Sequence, residues 1–281
     1  MAVYDGHLSE GYALRRRPDP RIAAAIASAL GDARSVVNVG AGTGSYEPTD
    51  RIVQAVEPSE RMIRQRARGA APCLRGSAEA LPFEAGAFEA AMAVLTIHHW
   101  PDWRAGLREM RRVARRRIVL LTFDPEACDF WLTRDYFPEM LADDRRIMPN
   151  LGDLKKELGE FQAAPVFIPH DCTDGFLGAY WRRPEIYLDP EARKSMSPFA
   201  KIEAEAGLRK LACDLENGAW HTRNAALADR EALDIGYRLL RWEFDATASP
   251  STSENKIMSP GGTDSLSSSG SDTLERSGHT L

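Results

Sequence analysis

The most constraining stretch of the chain is residues 36 to 58, VVNVGAGTGSYEPTDRIVQAVEP, where glycines at 40, 42 and 44 follow a β-branched run and a glutamate stands at 57. Val36, Val37 and Val39 suit a strand buried on both faces of a parallel sheet, and Gly40 interrupts the run where the chain must turn. A glycine turn at the carboxyl end of a first strand removes Cβ atoms, so that a ligand can lie against bare backbone N–H groups. The spacing is G-x-G-x-G, with Ser45 where the dinucleotide fingerprint G-x-G-x-x-G needs glycine. That favours a ligand without a pyrophosphate. No G-x-x-x-x-G-K-[ST] occurs, which removes the phosphate cradle that ATP hydrolysis needs. A second apolar run, Ile52 to Val56, ends in Glu57, and a carboxylate at the tip of a second strand accepts hydrogen bonds from both hydroxyls of a ribose.

These features resemble the class I S-adenosylmethionine (SAM)-dependent methyltransferases, whose first motif is a strand, an acidic residue and G-x-G-x-G, and whose second strand ends in Glu or Asp. The resemblance continues through Arg75 to Phe83 (RGSAEALPF), similar to the family's adenine-binding motif, and through Phe88 to Trp100, similar to its fourth strand and a His-His-Trp exit. Leu107, Met110 and Val113 then stand at helical spacing between Asp102 and about Arg115, and Ile118 to Phe123 reads as a fifth strand. The match runs from about residue 10 to 125. It implies a Rossmann-like, doubly wound α/β sheet of seven strands, mostly parallel with an antiparallel last strand, and SAM as cofactor with S-adenosylhomocysteine as product. By the same resemblance the cofactor is held by Asn38, Gly40, Ala41, Gly42, Gly44, Glu57, Pro58, Met62, Ala78 and Leu95, with either Ser77 or Glu79 on the adenine. Tyr12 and Arg16, in an N-terminal arm, reach the methionine carboxylate or close the pocket; an exposed basic arm is the alternative. Asn38 departs from the pattern, standing where the family has an acid.

For catalysis, the sulfonium already activates the methyl group, so the protein mainly aligns the reactants in a dry pocket. A hydroxyl acceptor benefits from a base. His98 and His99 at the exit of strand four, and Asp124 after strand five, fall at the carboxyl edge of the sheet, where one imidazole can take the proton and a carboxylate can orient it. The other reading of the histidines is structural, closing the strand through backbone hydrogen bonds.

Beyond strand five, Val166 to His170 suggests strand six and Ala232 to Trp242 suggests strand seven as an antiparallel edge. Segments of about 125–160 and 171–230 read as helical lid insertions; Trp131, Tyr180 and Trp181 in them fit either a pocket roof or ordinary core. At 281 residues and 43% hydrophobic, the chain has material for one large core, a methyltransferase domain over 1–245. Residues 246–281 are dominated by Ser, Thr and Gly and read as a disordered tail.

A net charge of −5 argues against a nucleic-acid partner, since phosphate neutralisation needs a basic face. The arginines at 111, 112, 115, 116 and 117 read instead as a solvated helix end. Four cysteines, at 73, 128, 172 and 213, lack metal-ligand spacing, so no metal is expected and a thiophilic acceptor is disfavoured. No segment approaches the ~20 apolar residues of a membrane span. The expectation is a cytoplasmic enzyme that methylates a small molecule. Two other uses of the same motifs stay open: a SAM-assisted reaction such as cyclisation, and regulatory binding of SAM or its product without transfer.

Overall fold

The computed structural model describes residues 15–244. Tyr12 and the tail 246–281 lie outside the described residues. The first half alternates strands and helices: α1 (Pro20–Leu30), β1 (Ser35–Val39), β2 (Ile52–Glu57), α2 (Glu60–Arg64), β3 (Cys73–Arg75), β4 (Phe88–Val94), α3 (Trp103–Val113) and β5 (Ala114–Phe123). The second half places α4 (Trp131–Asp135), α5 (Pro138–Ile147) and α6 (Leu151–Leu158) before β6 (Gln162–Pro165) and β7 (Ile168–Pro169). It then runs through α7 (Pro190–Arg193), α8 (Glu205–Glu216) and α9 (Ala219–Arg223) to β8 (Ala232–Leu233) and β9 (Tyr237–Glu243).

Local chemistry starts and stops these elements. Asp19 caps α1 by accepting from the Arg21 N–H, Pro20 takes the first helical position where no donor is needed, and Gly31 ends the helix at φ 54°. Asp102 caps α3 through the N–H groups of Arg104 and Ala105.

Seven strands form one sheet in the order β3-β2-β1-β4-β5-β9-β6. The pairs β1–β2, β1–β4, β2–β3 and β4–β5 are parallel, and β9 is antiparallel to both its neighbours. The pleat sends alternate side chains to opposite faces. On one face Val36, Met92, Val119 and Leu121 join Ile22 and Ile26 of α1 and the lid aromatics. On the other, Val37, Val39, Ala91, Ala93, Ile118 and Leu120 join Leu107, Met110 and Val113 of α3 and Leu154 of α6.

Three expectations are corrected. Strand six is Gln162–Pro165, an exposed edge, because Val166 to His170 carries Pro169 and its Ile168–Pro169 portion turns away to pair with Ala232–Leu233. Ala232–Trp242 is not one strand: Gly236, at φ 100°, breaks it, and β9 lies between β5 and β6 instead of at the edge. Only part of the arginine run closes a helix: Arg111 and Arg112 stand in the last turn of α3, which ends at Val113, whereas Arg115, Arg116 and Arg117 lie within β5. Each of those three is paired, with Glu89, Asp32 and Glu243 respectively.

Leu107 is fully buried between α3 and the sheet. Truncating it to alanine removes buried methyl groups and leaves a cavity, so Leu107→Ala is expected to cost about 2–5 kcal/mol. The urea unfolding midpoint measures this, and a loss below about 1 kcal/mol would contradict the packing described.

Candidate active site

The carboxyl ends of β1, β2 and β4 open onto a cavity of about 320 Å³. Its floor is the glycine loop, pinned where the Gly40 and Ala41 N–H groups donate to the Val56 carbonyl at 2.9 and 3.0 Å. Gly40 and Gly42 both have left-handed backbone, at φ 68° and 53°. A Cβ on Gly40 would run into the Thr96 side chain, whereas one on Gly42 would meet only the Met62 methyl at 3.4 Å and occupy cavity space. Glu57, only 6% exposed, stands at the rim; its Oε2 accepts from the Gly42 N–H at 2.8 Å and its Oε1 from the Ser59 N–H at 2.9 Å. Those bonds fix the carboxylate at the rim.

Asn38 reaches the cavity from β1, and its Nδ2 donates to Glu47 at 3.0 Å. Glu47 in turn pairs with Arg66 at 2.7 Å, both side chains nearly buried. Gly44 does not line the cavity; it backs onto this ion pair, where a Cβ would meet both side chains at 3.1 Å. Pro58, Met62, Ser77, Ala78, Glu79 and Leu95 complete the wall. Glu79 accepts from the Asp102 N–H at 3.3 Å.

A second cavity, of about 90 Å³, lies over the ends of β4 and β5 beneath the lid. Arg16, Leu95 and His99 line both cavities, so the two meet there. Leu95 holds φ 51°, a costly conformation for a side chain with a Cβ, at this junction. Arg16 is fixed by Asp174, which has no exposure: Nε donates to Oδ1 at 2.7 Å, and Asp174 also accepts from the Tyr46 hydroxyl at 2.8 Å and the Gly175 N–H at 2.7 Å. Burial and the adjacent Asp174 carboxylate push the Tyr46 hydroxyl far up, so it stays protonated and donating.

His98 and His99 form a short 3₁₀ turn with ring centroids 3.8 Å apart. Burial holds His98 well below its ordinary range; burial, helped by Lys201, holds His99 at about 4. Both imidazoles are therefore neutral at physiological pH. His98 faces the second cavity.

Asp124 does not join them. Its side chain accepts from the Glu126 N–H at 3.2 Å, capping the turn after β5, and it lines neither cavity. The carboxyl that faces the second cavity is Asp144 of α5, which burial raises to about 6. Asp144, Asp174, Lys201 and Tyr46 were missed in the sequence. Only Tyr46, inside the glycine loop, had a local signal. Among the described residues no group of three or more His, Cys, Asp or Glu could hold a metal ion, and no helix is long and apolar enough to cross a membrane.

The arrangement fits the cofactor that the sequence implies: a cradle of bare glycine backbone, a rim carboxylate for a ribose, and a pocket floor where a Cβ at Gly42 would take up ligand space.

The linked titration of His99 has a defined sign. A histidine whose folded pKa is depressed contributes stability above its unfolded value of 6.5, lost as pH falls toward about 4. Asp144 slopes the other way, because its raised pKa adds stability at low pH that is lost as pH rises through about 6. Comparing wild type with His99→Gln isolates the first effect. Urea unfolding at a series of pH values is expected to show the wild type losing up to about 3 kcal/mol relative to the variant between pH 6.5 and 4. Parallel curves would mean that His99 is not held neutral by its surroundings.

Comparison with known proteins agrees with this geometry. Residues 37–122 match the family model described as a methyltransferase domain. A crystal structure from Anabaena variabilis is 35% identical, with a TM-score of 0.74, covering 81% of this chain and 98% of that one. A SAM-dependent methyltransferase structure from Thermotoga maritima is 22% identical, with a TM-score of 0.46, covering 59% of this chain and 82% of that one. No curated protein matches the chain. With a relative at 35% identity spanned almost end to end, and with the glycine cradle and rim glutamate in position, the chain belongs to the class I SAM-dependent methyltransferases.

Proposed function

We propose that the protein methylates a small-molecule acceptor, at a hydroxyl or another nucleophile, seated in the second cavity. The observation that carries this is the meeting of the two cavities at Arg16, Leu95 and His99, which gives donor and acceptor a common boundary under the lid. A protein that only bound SAM for regulation has no use for that second chamber. The Anabaena variabilis relative is described as a candidate methyltransferase of an antibiotic biosynthesis pathway, which agrees with an acceptor of metabolite size. The domain reading goes with the proposal: one catalytic domain over 1–245, with lid segments of about 125–160 and 171–230. The four free cysteines fit a cytoplasmic, reducing compartment.

In this reading the cofactor supplies an electrophilic methyl group. Glu57 holds the ribose, Ser77, Ala78 and Glu79 flank the adenine, and Arg16 meets the methionine carboxylate. Asn38, whose Nδ2 is committed to Glu47, turns its carbonyl oxygen to the methionine ammonium. The apolar lining excludes water, and the strained Leu95 backbone fixes the boundary across which the acceptor is aligned. His98, neutral and facing the acceptor, receives the hydroxyl proton as the new bond forms.

Calorimetric titration with SAM and S-adenosylhomocysteine, with NAD as control, tests the cofactor half. Both are expected to bind with micromolar affinity and NAD not at all. Glu57→Ala, which removes charged hydrogen bonds worth about 1.5–3 kcal/mol, is expected to weaken both roughly 10- to 150-fold. Unchanged affinity in a folded variant removes Glu57 from the site.

His98→Ala is expected to lower kcat by roughly 100-fold or more on a hydroxyl acceptor while leaving SAM affinity intact. Retained turnover assigns His98 a structural role.

A further inference from the structure

The polar side chains of the second cavity differ in what they bind. Arg16 is bonded to Asp174, Thr133 to the Phe130 carbonyl, Ser195 to the carbonyls of Gly175 and Ala192, and Lys201 to Asp143 at 3.4 Å. Asp144 and His98 have no hydrogen-bond partner for their side chains among the described residues. Asp144 keeps partial exposure, so its carboxylate stays hydrated where it faces the chamber, and an entering cation would replace that hydration. Burial raises the Asp144 pKa against the opposing pull of the Lys201 ammonium.

The walls around it are the other half of the observation. Phe123, Phe130, Phe176 and Tyr237 line the same chamber. Aromatic faces and a carboxylate together are the chemistry that recognises an ammonium group on an apolar body. A divalent cation is a poor occupant, since no three potential ligands gather among the described residues.

We propose that the acceptor carries a protonated amine, which pairs with the Asp144 carboxylate and is flanked by the aromatic wall, while the group to be methylated faces His98. The inference rests on the small-molecule methyltransferase reading above and narrows it to amine-bearing acceptors. Other charged or titratable groups face the chamber: Arg16, His98, His99, Cys128, Lys201 and Tyr237, with Asp143 beside Asp144 on α5. Arg16 and Lys201 have acidic partners, and the imidazoles are uncharged at neutral pH. Asp144 is thus the group that discriminates an ammonium from a neutral substituent. Its selectivity grows as pH rises through about 6, where the carboxylate becomes the dominant form.

The test uses matched probes on the full chain saturated with S-adenosylhomocysteine: tyramine, 4-ethylphenol, which has the same ring and hydroxyl without the amine, and 4-hydroxyphenylacetate. Calorimetry at pH 7.5, a working pH above the Asp144 midpoint, is expected to show tyramine binding at least tenfold tighter than either of the others. Asp144→Asn should abolish that preference while leaving S-adenosylhomocysteine affinity and the thermal midpoint unchanged or slightly raised, because no partner is orphaned. Asp144→Ser provides a second variant should the amide misfold. Equal affinity for the three probes, or a preference that survives in either variant, overturns the proposal. Failure of the protein to bind S-adenosylhomocysteine at all strikes the methyltransferase reading instead, so the two failures are distinct.

Discussion

The Asp174 carboxylate joins three stretches of chain that are far apart in sequence. It has no solvent exposure, and it binds Arg16 from the N-terminal segment, Tyr46 from the glycine loop and its own neighbour's N–H in the lid. Burying a charge is costly unless it is paired and hydrogen-bonded, and here both oxygens are engaged. Asp19, equally buried, repeats the device a few residues on. It accepts from Arg21 and from the Thr173 N–H, and although burial opposes ionisation, the arginine and backbone bonds hold its pKa at about 2. Two buried aspartates therefore fasten the N-terminal segment and the stretch around residues 173–175 to the glycine loop. Removing either would orphan several donors at once, which is why such a hub resists piecemeal change.

A similar economy explains Asn38. The family places an acid at this position, and the amide here brings no charge of its own. The Glu47 carboxylate lies directly behind it, accepting from its Nδ2 and held by Arg66. An aspartate at 38 would set a second carboxylate against the first in a nearly buried place, and like charges that close cannot both ionise cheaply. The amide relays polarity from Glu47 to the cavity instead of supplying its own charge. Gly44 belongs to the same arrangement, its missing Cβ making room for the Arg66–Glu47 pair. The third glycine of the motif thus serves the support beneath the cradle.

What the sequence made legible was local in origin. A β-branched run ended by glycines, an apolar run ended by glutamate, and the 3.6-residue spacing of Leu107, Met110 and Val113 depend on neighbours a few positions away, and β1, β2, β4 and the body of α3 follow from them. The errors arose where distant contacts decide. Ala232 to Trp242 looks continuous in sequence, but Gly236 bends against the Asp124 carbonyl and its own carbonyl accepts from the Asp124 N–H. Asp124 follows β5 at the carboxyl edge of the sheet, yet its side chain turns back to cap its own loop. The carboxyl that does face the chamber comes from α5, whose position depends on how the lid packs around Trp131. No spacing rule connects residue 144 to residue 98.

The sheet converts these pieces into a directional site. Parallel strands end on the same side, so the glycine loop, Glu57, Leu95 and the histidine turn all emerge at one edge. The strained Leu95 sits where β4 ends, tied back by its N–H to the Leu121 carbonyl of β5. Rigid strands on either side over-determine that backbone, and only such a frame can hold a leucine at positive φ. The two cavities thereby meet at Leu95 and His99, just past the end of β4, and at Arg16. The frame around the first cavity is set by the strands, while the second is lined by side chains such as Asp144 that can change without disturbing that frame.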